Sequence, residues 1–189
     1  MNDLTEDSAL MLRYRDGDLE AFEVLYRRHN QALYRYLLRL CMNRDVAEDI
    51  YQEVWKKIIS SRARYQATAK FNTFLYRVAH NSFIDHVRRN KRYSSAGDYD
   101  PDDSIHDADE PDIAAEKQLL RRRLDAALAN LPDEQRDAFL LHEEGGLGLD
   151  AIALISGVSR ETVKSRLRYA NNKLKAALVQ PVASSGESA

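Results

Sequence analysis

The stretch 147–174, LGLDAIALISGVSRETVKSRLRYANNKL, constrains this chain more than any other, because it sets apolar residues for two short helices around a glycine turn. Ile152, Ala153 and Ile155 mark the buried side of the first helix. Ser156-Gly157-Val158 supplies the turn, where Gly157 can take the positive φ that a side chain resists. Ser159 is a suitable N-cap for the second helix, and Val163, Leu167, Ala170 and Leu174 then fall on one face. The pattern is a helix-turn-helix. Arg160, Glu161, Thr162, Lys164, Ser165, Arg168 and Tyr169 point outward, the earliest of them at the helix N-terminus, where such motifs reach base edges. From Arg160 to Lys175, six Lys or Arg stand against one acid, Glu161. A solvated amphipathic helix closing a bundle would carry similar charge. The glycine turn, the cap and the small Ala153 favour DNA binding instead.

The overall charge hides this basic helix. The 189 residues hold 28 Lys and Arg against 30 Asp and Glu, a net charge of −2. Between Tyr93 and Ala115, however, lie eight acids (Asp98, Asp100, Asp102, Asp103, Asp107, Asp109, Glu110 and Asp112) and no Lys or Arg. Outside that strap 28 basic residues face 22 acids, so two basic bodies flank an acidic segment. Rich in Asp, Ser, Gly and Pro, the strap reads as a disordered or extended linker. Its carboxylates are expected either to compete with phosphate for the DNA-binding faces or to serve as a solubilising spacer.

The predicted fold is all-α, with two helical domains. In the first, Phe22, Leu25, Tyr26, Leu33, Tyr36, Leu37 and Leu40 form one helical stripe, and Val46, Ile50, Val54 and Ile58 form the next. Asp18 and Asn43 are the expected caps. A third helix is predicted from about Lys70 to Arg92, burying Phe71, Phe74, Leu75, Val78 and Val87. The second domain opens with a helix from about Asp112 to Asn130, stopped by Leu131-Pro132. A helix over Asp133 to Glu144 ends at Gly145-Gly146, and the helix-turn-helix follows. The expected division is 1–92, an acidic linker at 93–112, 113–180, and a frayed tail at 181–189. No strand and no internal repeat is predicted. The chain shows neither a membrane-length apolar run nor the basic start of a signal peptide, which points to the cytoplasm. The lone Cys41 excludes an intramolecular disulfide and reads as a buried, inert thiol.

Two further faces carry candidate chemistry. Glu48, Asp49, Gln52 and Glu53 lie away from the aliphatic stripe of their helix, with Trp55 beside them. Such a face is either simply solvated or, with an exposed Trp, a protein-docking site. The third helix, FNTFLYRVAHNSFIDHVRRNKR, sets Arg77, His80, Asn81, Asp85, Arg88 and Arg89 among Tyr65, Phe71, Phe74, Tyr76 and Phe83. Some of these rings belong to the core. Basic and amide groups beside exposed rings would suit unpaired bases, which stack on the rings while cations hold the backbone. His80 and His86 are poorly spaced for a shared metal and read as surface or DNA-facing groups. No phosphate loop, nucleophile elbow or His-Glu-x-x-His motif points to catalysis.

Taken in order, these segments resemble the extracytoplasmic-function sigma factors, small two-domain initiation factors of bacterial RNA polymerase. AFEVLYRRHNQALYRYLLRLCMNRDVAEDIYQEVWKKI resembles the family's sigma-two domain and FNTFLYRVAHNSFIDHVRRNKR its promoter-melting segment. LPDEQRDAFLLHEEGGLGLDAIALISGVSRETVKSRLRYANNKL resembles its sigma-four domain. The resemblance implies that Glu48, Asp49, Gln52, Glu53 and Trp55 dock on the clamp helices of the polymerase. It implies that Asn81, with Arg77, His80, Asp85, Arg88 and Arg89, reads the minus-ten element, while the loop from Arg64 to Lys70 holds a flipped base. It assigns the minus-thirty-five element to Ser159, Arg160, Glu161, Thr162, Lys164, Ser165, Arg166, Arg168, Tyr169 and Lys173. The implied partners are core RNA polymerase, promoter DNA and an anti-sigma factor, with no cofactor, metal, small-molecule substrate or membrane insertion. A stand-alone helix-turn-helix regulator, dimerising through its N-terminal bundle, is the rival reading, and a protein-interaction adaptor a third.

Overall fold

The computed structural model describes residues 3–93 and 115–179. The acidic strap from residue 94 onward and the tail at 181–189 lie outside the described residues. Eight α-helices are present among the described residues, and no strand. The first body comprises α1 (Asp3–Arg15), α2 (Leu19–Cys41), α3 (Arg44–Ser61) and α4 (Phe71–Tyr93), with a 3-10 turn at Arg62–Arg64. The second comprises α5 (Ala115–Ala129), α6 (Asp133–Glu143), α7 (Leu149–Ser156) and α8 (Arg160–Val179).

Local chemistry sets the helix limits. Asp18 caps α2 by accepting the Ala21 N–H at 3.2 Å, and Asn43 caps α3 by accepting the Val46 N–H at 2.9 Å. Both caps match the sequence expectation. Between α2 and α3 the chain turns through Met42, whose φ of 53° places it in the left-handed region, with its N–H donating to the Leu38 carbonyl. α1 has no counterpart in the predicted stripes. It buries Leu10, Met11 and Tyr14 against α2 and the 3-10 turn. Glu6 and Asp7 pair with Arg28, and Asp7 also meets His29, fixing α1 along α2.

The first core is built from Leu25, Leu33, Leu37, Leu40, Ile50, Val54, Ile58, Phe71 and Leu75, where α2, α3 and α4 pack in sequence. These are the predicted stripes, with Phe22 and Val46 only half-buried and Tyr26 at the surface. The second core holds Leu128, Leu141, Ile152, Val163, Leu167, Ala170 and Leu174. α6 stops because Gly145 and Gly146 follow it. Gly146 has φ +60°, and a Cβ at Gly145 would lie 2.5 Å from the Leu141 carbonyl oxygen. The helix-turn-helix forms as its sequence requires. Gly157 has φ 65° and donates to the Ala153 carbonyl, and the Ser159 hydroxyl accepts the Thr162 N–H at 3.1 Å.

The two bodies pack against each other, which the sequence did not lead us to expect. α2 contacts α5 and α6, and α4 contacts α7. Among the described residues no helix is long and apolar enough to cross a membrane.

Candidate nucleic-acid and polymerase interfaces

The carboxylate face of α3 is only partly open. Asp49 and Gln52 are exposed, whereas Glu48 and Glu53 are half-buried. Glu48 accepts from Arg44 at 3.0 Å and from the Tyr34 hydroxyl at 3.3 Å. Glu53 pairs with Lys57 at 2.6 Å and with Arg89 at 3.6 Å. The Lys57 hydrogen bond holds its carboxyl below the usual range, so it is firmly ionised at neutral pH. Beside these groups Asn30, Gln31, Tyr34, Tyr51 and Gln52 line an open cleft between α2 and α3.

Trp55 corrects the sequence expectation. It is 6% exposed rather than presented to a partner. Its indole meets Tyr26 at 4.9 Å between centroids and Phe22 edge-on at 5.9 Å, so α2 supplies the aromatic wall that covers it. Trp55 is therefore the floor beneath the acidic face.

The rings around α4 require a similar correction. Tyr65, Phe71, Tyr76 and Phe83 are buried, and only Phe74 is half-open, so this face does not offer a row of free rings for stacking. What α4 does expose is a polar line: Arg77, Asn81, Asp85 and Arg88, with Arg89 on the flank towards Glu53. The positions recur at helical spacing and share a side. Before α4, Arg64 at the end of the 3-10 turn and Lys70 in the loop that follows are both exposed. His86 hydrogen-bonds Asn90 at 2.9 Å, and burial followed by the charge of Arg89 lowers its pKa, which favours the neutral ring.

His80 is not a free surface group. Its Nδ1 meets the Asp137 carboxylate of α6 at 2.8 Å, and the other Asp137 oxygen accepts from the buried Tyr36 hydroxyl at 2.7 Å. About two turns on, at the C-cap of α6, the Glu144 carboxylate accepts from Arg35 Nε at 3.0 Å and from Arg39 Nη1 at 2.5 Å. Arg39 Nε also donates to Asp125 of α5 at 3.1 Å. Main-chain carbonyls complete the seam: that of Glu144 accepts from Tyr76 and that of Gly145 from Asn72. Sequence reasoning missed this cluster. Its one legible signal is Asp137, an acid lodged beside Ala138 and Leu141 on the apolar side of α6.

On α8, Arg160, Glu161, Thr162, Lys164, Arg168, Tyr169 and Lys173 are exposed, as their phase predicts. Several of the expected residues already have partners within the fold, Thr162 among them, its hydroxyl 2.9 Å from that of Ser159. Arg160 pairs with Asp150 at 3.2 Å, Arg166 with Glu134 at 3.0 Å, and Ser159 caps the helix. The Arg168 guanidinium lies over the Tyr169 ring at 5.1 Å, a cation–π contact on the outer face.

Comparison with known proteins decides the family. The family description Sigma-70 region 2 matches residues 25–93, and Sigma-70, region 4 matches residues 121–174. The RNA polymerase sigma factor CarQ of Myxococcus xanthus is 31% identical over 169 residues, covering 87% of this chain and 93% of CarQ. The ECF RNA polymerase sigma factor SigE of Mycolicibacterium smegmatis is 31% identical over 188 residues, covering 99% of this chain and 70% of SigE. The chain belongs to the extracytoplasmic-function sigma factors. Its fold is shared with a sigma factor RpoE solved with the anti-sigma factor NepR from Bartonella quintana, at a TM-score of 0.72 and 24% identity over 85% of this chain and 98% of that one. CnrH, solved with the cytosolic domain of CnrY, gives a TM-score of 0.66 at 21% identity over 92% of this chain and 97% of CnrH. As an RNA polymerase sigma factor, this protein acts in transcription initiation, and the stand-alone regulator falls away. In this sigma factor the first body carries region 2 and the second carries region 4.

Proposed function

We propose that the three faces of this sigma factor divide the work of initiation. The open part of the α3 face, Asp49 and Gln52 flanked by Glu48 and Glu53 above Trp55, docks on core polymerase through charge complementarity. The exposed line of α4 reads the minus-ten element as single strand. Asn81 serves as the amide that hydrogen-bonds an extruded base, and Arg77, Arg88 and Arg89 hold the backbone, with Asp85 on the same side. Arg64 and Lys70 border the pocket for a flipped base. On α8, Arg160, Thr162 and Lys164 meet base edges of the minus-thirty-five element in the major groove, while Arg168 and Lys173 meet phosphate. Arg166, tied to Glu134, positions the helix rather than reading DNA. His80 contributes once it leaves Asp137.

The observation that carries this reading is the polar line Arg77, Asn81, Asp85 and Arg88, exposed along one side of a helix whose other side is core. The functional units run 1–92 and 113–180, with 93–112 as linker and 181–189 as tail. The protein performs no catalysis itself; the polymerase makes the RNA. It works in the cytoplasm under an anti-sigma factor, as the complexes of its structural relatives suggest. Reconstituted transcription with purified core polymerase tests the assignment. Asn81→Ala should reduce initiation from duplex promoters, and a pre-melted bubble template should not rescue it, because the base contact is lost in both. Full activity of the variant on both templates would make Asn81 structural.

A further inference from the structure

We infer that Arg35, Arg39, Asn72 and Tyr76, together with Tyr36 and His80, form a second nucleic-acid site, a phosphate-binding cradle for the promoter backbone. In this structure Asp137 and Glu144 fill it as stand-ins for phosphate. The inference rests on the reading of α4 and α8 as the two promoter-reading helices.

The hydrogen bonds of the seam run one way. Arg35 and Arg39 donate to the Glu144 carboxylate, Arg39 also to Asp125, and the Tyr36 hydroxyl to Asp137. Asn72 donates to the Gly145 carbonyl at 3.2 Å and Tyr76 to the Glu144 carbonyl at 3.0 Å, while His80 Nδ1 meets the second Asp137 oxygen. The donors thus sit on α2 and α4, and the acceptors on the second body. Guanidinium, phenol and amide donors are the groups that hold a DNA backbone, and a carboxylate takes the place of phosphate before an arginine. Asp137 and Glu144 are well seated there, with side chains 9% and 11% exposed.

A chain closed in this way cannot sit on both promoter elements. Asn81 of α4 and Arg166 of α8 line one cleft. The minus-ten and minus-thirty-five elements lie roughly 25 base pairs apart, about 85 Å of duplex at 3.4 Å a step. Engaging both therefore parts the bodies and withdraws Asp137 and Glu144 from the cradle. The bared donors then lie beside DNA. Asn72, Tyr76 and His80 recur at helical spacing on α4, and Arg77 and Asn81 each follow one position later, so the cradle adjoins the exposed line assigned to the minus-ten strand. An acidic protein segment would satisfy the same donors, but DNA is the anion held one step around the same helix.

The test uses the full chain, with a random-sequence single strand, its duplex and a poly-glutamate peptide as probes. Asp137→Asn with Glu144→Gln removes the stand-in charges. It should tighten DNA binding about tenfold, as for a chain released from a tenfold bias towards closure. Arg35→Gln with Arg39→Gln removes the cradle's own cations, and should weaken binding in that released chain. The slope of log affinity against log salt should flatten by about 1.4 on the single strand or about 1.8 on the duplex, for two lost phosphate contacts. Both pairs loosen the seam, so an interface of purely structural purpose predicts effects of the same sign from each. Opposite signs support the cradle. A gain or no change in DNA binding from the arginine pair overturns it, and so does a gain on poly-glutamate in place of DNA. Should the arginine pair lower the melting temperature into the assay range, Arg35→Gln alone, at a side chain 50% exposed, should flatten the slope by half as much. The slope is read on random sequence and does not involve Asn81. Its failure therefore removes the cradle and leaves the minus-ten reading intact, whereas a silent Asn81→Ala in reconstituted transcription removes that reading and leaves the slope to decide the cradle.

Discussion

The Tyr36 hydroxyl on α2 donates to the Asp137 carboxylate on α6 at 2.7 Å, joining residues 101 positions apart at a site where Tyr36 has no exposed surface. Removing the donor leaves Asp137 with His80 alone. Tyr36→Phe should therefore destabilise the chain by about 1–3 kcal/mol, the usual penalty for a buried polar group stripped of a partner. A shift of the urea midpoint at unchanged slope would measure it. No shift would mean that water replaces the phenol.

The same pair fixes the sign of an alkaline effect. Burial, then the Asp137 charge, raises the Tyr36 pKa well above its ordinary value of 10.0. Tyr76 is raised too, by burial and then Glu144. A raised phenol favours the neutral, donating form in the folded chain. Its stabilising contribution is complete below the unfolded value and is lost as pH rises through the folded one. Stability should thus fall in the alkaline range, and Tyr36→Phe should flatten that fall. Equal slopes for the two proteins would count against the assignment.

On the α3 face, Asp49 is the clean probe, because Glu53 is already engaged by Lys57 and Arg89. Asp49→Arg should sharply weaken binding to core polymerase in calorimetry while leaving the melting temperature near wild type. Reversing Glu53 instead should cost stability as well as binding. Unchanged core affinity in Asp49→Arg would remove the docking proposal.

Within α8, Lys164→Ala should cost about 1–3 kcal/mol on a matched upstream element and little on a scrambled one, as for a base contact. Lys173→Ala should weaken both alike and flatten the salt dependence, as for a phosphate contact. Arg166→Ala should act through stability, because Glu134 is its partner. Identical sequence discrimination in all three variants would refute this division.

Much of the fold was legible because it repeats at helical spacing. The caps Asp18 and Asn43, the stop at Gly145-Gly146 and the Gly157 turn each follow from a single residue's chemistry, and each is present. α1 was hidden because Leu10, Met11 and Leu12 are adjacent rather than spaced, which blurs the stripe that Met11 and Tyr14 make against α2. Trp55 was misjudged for a related reason. It sits next to Val54, one step around the helix, and the buried arc widens once Phe22 covers it. The seam around Asp137 was legible only as one acid on an apolar face, with no sign of what it meets. Periodicity identifies a face but not its partner, and Tyr36 and Asp137 are linked only by tertiary packing.

Cys41 gives a separate chemical check. Burial pushes its thiol up to about 12, against a smaller opposing pull from Arg136. At neutral pH the native protein should alkylate roughly two to three orders of magnitude more slowly than the unfolded chain, because thiolate is the reactive form. Comparable rates in native protein and in urea would contradict that burial.

The indole at position 55 also makes the molecule its own optical reporter. It is the chain's one tryptophan, and it lies in the first body among Phe22, Tyr26 and Tyr51. Emission excited at the red edge therefore speaks for region 2 alone, whereas far-ultraviolet dichroism sums the helices of both bodies. Two unfolding curves that coincide would mean that the bodies melt as a single cooperative unit, and two that separate would reveal how weakly region 4 is held. A blue or red shift on adding core polymerase, without any label attached, would register what happens directly above that buried ring.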